Sequence, residues 1–447
     1  MVSIIERSGD GFAGAKKTLI WAIIVLAGVE AYSLLNLYSD MSFKFFLAIM
    51  KNGLTPVEDS RQFLFYARDL PLFTGFTLGI RDLSILTLLH GIGFFGGNIA
   101  CWVYALQRLR NDPLFWPYAC LFSTTYLICH LGGGSESVML NALAAVCVAI
   151  LLQRNRISNM DMVVFCLAAI LLSHTYELVI IFAPLIIAVT IFRILTDKTL
   201  SRAKTILLVA AMPVLLYAMY TAFVWIKILS ANAAEAASYK LFDYPVFECS
   251  AAMTFLFFAL YYFDMNSNIK RLALIAMAGL IATIVIDNHW EYLEYHFRIR
   301  AYASLLLCTC LCLIFALSII KHFRPRLVHD KITPKIYVII VMTLFFIPWG
   351  RSAYSALQHR KFIDTIQTIV NNNIGELHIE DLRIEDKEKF EWPWTYPILS
   401  ILLRSSPHKA MILNSSSYKG SFCFGPYDYK TVFELNGCYW NDPDRTK

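Results

Sequence analysis

Long apolar runs alternate with short polar segments along most of the chain. A helix needs about 20 mostly apolar residues to cross the hydrocarbon core of a membrane, and eleven segments reach or approach that length. The predicted spans are 18–38, 83–106, 114–131, 136–153, 159–174, 177–195, 205–229, 247–264, 272–288, 301–321 and 335–352. The pattern therefore predicts an all-α polytopic membrane protein with about eleven transmembrane helices.

Two of these spans, 159–174 and 177–195, are short and meet at Ser173-His174-Thr175-Tyr176-Glu177. The pair forms either a tight hairpin or one broken, re-entrant element. The sequence leaves both arrangements open.

The composition narrows the class of protein further. Hydrophobic residues make up 57% of the 447 residues and charged residues 16%, against about 25% charged in an ordinary soluble domain. The mean hydropathy is +0.55. These values exclude a soluble enzyme, a disordered chain, a coiled coil and a compact nucleic-acid-binding domain.

The positions of Lys and Arg assign the two sides of the membrane. Basic residues precede the first span and recur in five alternate loops: Arg7, Lys16 and Lys17, then Arg108/Arg110, Arg154/Arg156, Lys198/Arg202/Lys204, Lys270/Arg271 and Lys321/Arg324/Arg326/Lys331. Cytoplasmic loops of membrane proteins carry such an excess. We therefore expect a multi-pass cell-membrane protein (of the inner membrane in a bacterium), with a cytoplasmic N-terminus and a periplasmic or extracellular C-terminus. The net charge of +6 then needs no nucleic acid as partner.

The same orientation places two long polar segments outside the membrane. They are the first external loop, about 39–82, and the tail after the last span. We expect a transmembrane domain over 1–352 and a small external domain of α/β or mixed structure over 353–447, beginning with a helix over 354–371. In an oxidising compartment the tail cysteines Cys423 and Cys438 are a candidate disulfide, with two free thiols as the alternative.

Adjacent carboxylates give the first external loop its candidate chemistry. Glu58 and Asp59 begin a predicted helix over 58–69 that also carries Arg61 and Arg68, two candidate substrate-binding residues. Carboxylates at the membrane surface act as a general base or bind a divalent cation such as Mg²⁺ or Mn²⁺. The alternative is that Glu58 and Asp59 only cap the helix, because carboxylates are favoured at a helix N-terminus.

A second group of candidates lies at 287–300, where Arg298 and Arg300 depart from the basic bias of the opposite side and His289 stands nearby. Guanidinium groups suit phosphate, which they bind through paired hydrogen bonds. Anion binding and lipid-headgroup anchoring remain equally open for the two arginines.

Ionisable residues at the outer ends of other spans form the third group. His174 and Glu177 are candidates because such residues are rare at membrane depth, although His174 also suits a purely structural bond to a carbonyl. His90 lies beside a glycine-rich run, Gly91, Gly93, Gly96 and Gly97, which indicates close helix packing. There is no phosphate-binding GxxxxGK[ST] loop, no HExxH and no CxxC pair with metal spacing, so no metal ligands are assigned.

The layout resembles the GT-C class of integral membrane glycosyltransferases, whose long first external loop carries an acidic residue or pair. Glu58 and Asp59 are the residues that match this motif. The resemblance implies an inverting transfer from a polyprenyl-phosphate-linked sugar to an envelope or secreted glycan or glycolipid, as in polysaccharide biosynthesis. It puts Asp59 or Glu58 in the position of the catalytic base and makes Arg298 and Arg300 candidates for the lipid phosphate.

Three other functions remain open at this point. They are a polysaccharide polymerase, a flippase or transporter of lipid-linked glycans, and a non-catalytic membrane subunit. Transporters more often show paired halves with broken helices, a pattern that this sequence lacks, and they usually lack long external loops.

Overall fold

The computed structural model of the chain describes residues 12–38, 41–50, 62–127, 136–229, 245–262, 267–286, 293–323, 335–385, 390, 395–406 and 408–413. Most of these residues are helical. The α-helices of the described ranges are α1 (Ala13–Tyr32), α2 (Met41–Met50), α3 (Gln62–Thr77), α4 (Leu83–Arg108), α5 (Phe115–Leu121), α6 (Glu136–Leu152), α7 (Asn159–Leu172), α8 (Val179–Thr196), α9 (Arg202–Leu229), α10 (Pro245–Tyr262), α11 (Ser267–Ile286), α12 (Leu293–Phe323), α13 (Lys335–Asn372) and α14 (Tyr396–Leu403). Short 3₁₀ turns cover Leu35–Leu37 and Ile379–Asp381, and a π-helix, Phe122–Tyr126, continues α5.

Five segments of the described chain are long and apolar enough to cross a membrane. They are Leu83–Arg108, Val179–Thr196, Arg202–Ile226, Tyr302–Phe323 and Tyr337–Asn372. Their outer faces carry large exposed apolar side chains, and Leu195 of α8, for example, exposes 75% of its surface. Such surfaces are expected against lipid and not against water. The chain is therefore a helical membrane protein, as the sequence predicts at this coarser level.

The short apolar pair in the middle of the chain forms two separate helices. α7 ends at Leu172, α8 begins at Val179, and residues 173–178 connect them. Both helices pack against α6 and α9. At the start of α7 the Ser158 hydroxyl and the Asp161 carboxylate cap each other's backbone N–H groups, which fixes the first turn.

The described residues form two apolar cores. The larger core joins α1, the second half of α4 and the helices from α5 to α13. The smaller core contains residues from 35–49, 72–95 and 356–412. The predicted first external loop and the predicted tail therefore pack against each other. We call the described residues of 35–50, 62–95 and 356–413 the loop-tail unit.

Two features tie the tail into this unit. α13 is continuous from Lys335 to Asn372, so the predicted last span and the predicted tail helix are one element. After it, β1 (Glu376–His378) pairs in parallel with β2 (Met411–Leu413), with Leu377 opposite Ile412. The helix α14, between the two strands in sequence, packs on β2 and on α2.

The connections that carry Lys and Arg lie together at the opposite end of the molecule. We call this region the basic end, and it contains residues 108–114, 153–158, 193–204 and 318–323. Arg108 donates a 2.8 Å hydrogen bond to Asp161. Arg193 donates one of 2.7 Å to the carbonyl of Gln153, and Lys204 bonds the carbonyl of Ile157. These contacts show that connections predicted to share one side of the membrane do lie together.

Candidate functional site

The helix that follows Glu58, Asp59 and Arg61 in sequence is α3, and it packs closely against α4. Gly93 of α4 makes this approach possible. A Cβ atom on Gly93 would lie 1.8 Å from the backbone carbonyl oxygen of Arg68, a distance that no side chain tolerates. The close packing predicted for the glycine run is thus present at Gly93, and it sets the position of Arg68 and its neighbour Asp69.

Arg68 and Asp69 form a buried ion pair in the loop-tail unit. Nε of Arg68 lies 2.8 Å from Oδ1 of Asp69, and Nη2 lies 3.2 Å from Oδ2. The Asp69 side chain is fully buried and that of Arg68 is 5% exposed. The guanidinium also lies over two rings, 4.6 Å from the centre of Phe65 and 5.2 Å from that of Phe94. A charge in such an apolar setting requires a partner, which Asp69 supplies.

His90 extends this pair into a cluster. Its Nε2 lies 3.7 Å from Oδ1 of Asp69, and its Nδ1 lies 3.1 Å from the amide nitrogen of Asn36. The same amide donates to the carbonyl of Thr87 at 2.9 Å. Because the amide nitrogen is a donor, Nδ1 of His90 accepts, and the ring proton belongs on Nε2, facing Asp69.

Aromatic side chains pack around this polar cluster. Phe45 and Phe94 lie 4.9 and 5.4 Å from the imidazole of His90, measured between ring centres. The ammonium of Lys44, whose side chain is 9% exposed, lies 5.7 Å from the centre of Phe65. The surroundings therefore hold α2, α3 and α4 in one fixed arrangement around Asn36, Arg68, Asp69 and His90, which we call the buried polar cluster.

The structure also brings His174 to the first turn of α3. Its ring centre lies 4.8 Å from that of Phe63 and 5.6 Å from that of Tyr217, and its Nδ1 is 3.2 Å from the hydroxyl oxygen of Ser173. Burial lowers the pKa of His174, which lies in the connection between α7 and α8. A neutral imidazole therefore stands beside the start of α3, which begins three residues after Asp59 in sequence.

The other predicted site residues fall into two groups. Arg68 and Glu177 are described: Arg68 belongs to the buried polar cluster, and Glu177 is half-buried in the connection that carries His174. Glu58, Asp59, Arg61, His289, Cys423 and Cys438 lie outside the described residues, and Arg298 and Arg300 lie in α12 in a part whose side chains are not described. Within the described ranges, no group of three or more His, Cys, Asp or Glu side chains is arranged to hold a metal ion.

A surface cleft of about 480 Å³ adds a second feature to the loop-tail unit. It lies between α13 and the segment that follows β1, and Tyr354, Lys361, Phe362, Arg383 and Phe390 contribute to its lining. Aromatic faces together with charged and amide groups are the usual means of holding a sugar. The Tyr354 side chain is 60% exposed, so its ring is accessible.

The sequence did not identify Asp69 or Asn36 as site residues. It identified His90 only as a neighbour of the glycine run that indicates close helix packing. One signal was available for Asp69, because an Arg-Asp pair inside a largely apolar stretch between Phe63 and Phe76 must be buried or paired. Asn36 carries no such signal, since its contact with His90 joins residues 54 positions apart.

No family model, curated protein or solved structure matches the chain.

Proposed function

We propose that the chain is an inverting membrane glycosyltransferase of the GT-C type, which transfers a sugar from a polyprenyl-phosphate carrier to an envelope or secreted glycan or glycolipid. The observation that carries this proposal is the loop-tail unit. The first polar segment and the tail share one apolar core, and a buried polar cluster fixes the helix that follows Glu58 and Asp59. A transferase needs such an ordered unit to hold a donor and an acceptor together, whereas a flippase does not.

Asp59 is the catalytic base in this proposal, with Glu58 beside it. The carboxylate accepts the proton of an acceptor hydroxyl as the hydroxyl oxygen attacks the anomeric carbon of the sugar. The bond from that carbon to the carrier phosphate breaks, and the phosphate leaves with the electron pair. Arg298 and Arg300 stabilise the negative charge that develops on it, and a divalent cation, Mg²⁺ or Mn²⁺, is an additional candidate for this role.

The buried polar cluster supports the proposal by limiting the movement of α3. Catalytic groups must be held close to their productive geometry by neighbours that are themselves fixed. Arg68 and Asp69 lie on α3, and His90 joins them to α4. His174 touches Phe63 in the first turn of α3, so the helix is held at its start as well as at its middle. We assign the cleft beside Tyr354 to the acceptor glycan.

We further propose that eleven spans connect the two ends of the molecule, with the N-terminus in the cytoplasm and the loop-tail unit outside. The helices of the described chain support this count, because successive long helices run alternately toward the basic end and away from it. α6, α8 and α12 end at the basic end, whereas α7, α9 and α13 begin there. The excess of Lys and Arg supports the cytoplasm as the location of the basic end.

The test is mass spectrometry of surface glycans and glycolipids from cells that lack the protein, complemented with wild-type or variant chains at equal membrane abundance. We expect the deletion to lose one sugar residue, the wild type to restore it, and Asp59→Asn to fail. Asp364→Asn is the matched control, because Asp364 is an exposed carboxylate on α13 in a surface ion pair with Arg360.

Each other result contradicts a specific part of the proposal. An unchanged glycan profile in the deletion would exclude a transferase and favour a transporter or a non-catalytic subunit. Full rescue by Asp59→Asn would preserve the transferase but remove Asp59 as its base. Accumulation of intact lipid-linked glycan, with no missing sugar, would point to a polymerase or a flippase.

A further inference from the structure

A cavity of about 430 Å³ lies at the basic end, on the side of the molecule opposite to the loop-tail unit. Its walls come from the residues before α5 and from the ends of α6, α8, α10 and α12. The proposed transfer reaction makes no use of this cavity. Its volume is in the usual range for sites that bind small molecules or lipid headgroups.

The charges of the cavity favour an anion. Arg154, Arg193 and Lys321 contribute positive charges to its lining, which also contains His322, against one carboxylate, that of Asp112. The Asp112 carboxylate already accepts two backbone N–H bonds, from Leu114 and Arg154, each of 2.9 Å. A phosphate group is an anion that arginine and lysine bind well.

Arg193 has a structural role in the wall of the cavity. Its guanidinium donates to the carbonyls of Gln153 and Asn155 and pairs with Asp197 at 2.7 Å. These bonds close the end of α6, so Arg193 shapes the wall. Arg154, Lys321 and His322 are the residues that we assign to the ligand.

Two polar atoms of this wall have no hydrogen-bond partner among the described residues. They are Nε of Arg193 and Oε1 of Gln153. Buried polar atoms in proteins are nearly always bonded to protein or to an ordered molecule. Both atoms are buried within the wall, out of reach of a ligand, and the groups that can contact one are the charged side chains of the lining.

The remaining lining is apolar and adjoins the surface that faces lipid. Phe192, Ile314 and Leu317 line the cavity. Next to lining residues on α8 and α12, Leu195 and Phe323 are 75% and 72% exposed. A ligand with an anionic head and apolar chains can contact both the charged lining and the exposed apolar faces. A fully water-soluble anion can contact only the charged lining.

We propose that this cavity binds the phosphate headgroup of an anionic membrane lipid. Arg154, Lys321 and His322 surround the phosphate, and the acyl chains lie along the exposed apolar faces of α8 and α12. This inference does not depend on the glycosyltransferase activity, because it concerns the other end of the molecule and can be tested without a sugar donor.

The test measures lipid binding to the purified full chain in detergent by native mass spectrometry, with phosphatidylglycerol as the probe and phosphatidylcholine as the reference. We expect tighter binding of phosphatidylglycerol, and a loss of about tenfold in its affinity in Arg154→Gln/Lys321→Gln, since a hydrogen bond to a charged group is worth about that factor. Ser318→Phe, which fills the cavity without changing the charge, should weaken binding similarly.

The matched control is Lys198→Gln/Arg202→Gln, which removes two positive charges from the same end at residues outside the lining. It should retain the affinity of the wild type. Equal binding of both lipids, or equal losses in the two double variants, would overturn the proposal. If inorganic phosphate displaced phosphatidylglycerol at similar concentrations, the ligand would be free phosphate and not a lipid headgroup.

Discussion

Asp69 is the most informative single side chain in the loop-tail unit. Its carboxylate is fully buried and pairs with the guanidinium of Arg68 through two contacts. Removing one partner of a buried ion pair costs about 3–5 kcal/mol, because the other charge is left in an apolar environment. The stabilisation belongs to the pair as a unit.

The buried ion pair predicts a large effect of Asp69→Asn on stability. The variant keeps the size and shape of the side chain but leaves the charge of Arg68 without its counter-ion. We expect the free energy of unfolding to fall by several kcal/mol, about 3–5, measured as a lower midpoint of unfolding in detergent. Arg68→Gln should have a similar effect.

Asp364→Asn provides the comparison for Asp69→Asn. Its ion pair with Arg360 is solvent-exposed, with an Nε to Oδ1 distance of 3.0 Å, and exposed pairs contribute about 0–1 kcal/mol. If both variants shifted the unfolding midpoint by the same small amount, the Arg68–Asp69 pair would not be important for the stability of the loop-tail unit.

The sequence predicted some of the site residues, but not the contacts that join them. Arg68 was a candidate, yet its pairing with Asp69 is not expected from spacing, because consecutive residues on a helix do not face each other. The long guanidinium side chain curves back to reach its neighbour. The contact of His174 with Phe63 joins residues 111 positions apart (174 minus 63), and no local pattern encodes it.

At the scale of elements, the crossing of α3 and α4 decides where the buried polar cluster lies. The backbones approach at Gly93, where the carbonyl oxygen of Arg68 occupies the place of a Cβ atom. A side chain of any size at this position must push the two helices apart. The close approach of α3 and α4 beside the cluster therefore requires glycine at position 93.

Gly93→Ala should consequently destabilise the chain by about 1–3 kcal/mol, the usual cost of added volume in a packed interface. Gly96→Ala, three residues later on the same helix, meets only Ile92 at 3.8 Å. It should leave the stability unchanged or raise it by about 0.5–1 kcal/mol, because alanine favours a helix. Thermal unfolding of both variants in the same detergent measures the difference.

An equal effect of the two alanines would mean that α3 and α4 do not touch at Gly93. The contrast between the variants is informative because both add the same methyl group to the same helix. Only the surroundings of that group differ.

Hydropathy predicted the positions of the helices better than their ends. The predicted last span ends at residue 352 because apolar residues become sparse there, but α13 continues to Asn372. Loss of hydrophobicity marks a change of surroundings, not the end of the helical hydrogen-bond ladder. Likewise, the predicted first-loop helix ends at residue 69, yet α3 runs to Thr77 with Pro71 inside.

At the scale of the whole molecule, two ends with different chemistry face away from each other. The loop-tail unit holds the buried polar cluster and the cleft at α13, and the basic end holds the cavity between five elements. That the basic connections lie together at one end was predictable, because charge bias acts on each loop separately. The packing of the first loop on the tail was not predictable, since it joins segments about 300 residues apart in a chain of 447.

The proposed eleven spans make a prediction about three exposed positions. Lys198 follows α8, Asn268 lies at the start of α11, and Glu380 follows β1. With eleven spans, Lys198 and Asn268 share the cytoplasmic side, because the spans 205–229 and 247–264 lie between them. Three more spans place Glu380 outside.

Cysteine substitutions at these positions, treated with a membrane-impermeant maleimide, test this arrangement. In intact cells we expect labelling of Glu380→Cys alone, and labelling of all three after permeabilisation, with the wild-type chain as the background for its native cysteines. If only the five helices that are long and apolar enough on their own crossed the membrane, Asn268→Cys would instead share the side of Glu380→Cys and lie on the side opposite to Lys198→Cys. Labelling of Lys198→Cys and Asn268→Cys but not of Glu380→Cys in intact cells would reverse the orientation, place the buried polar cluster in the cytoplasm, and remove the proposed transfer reaction from the outer face.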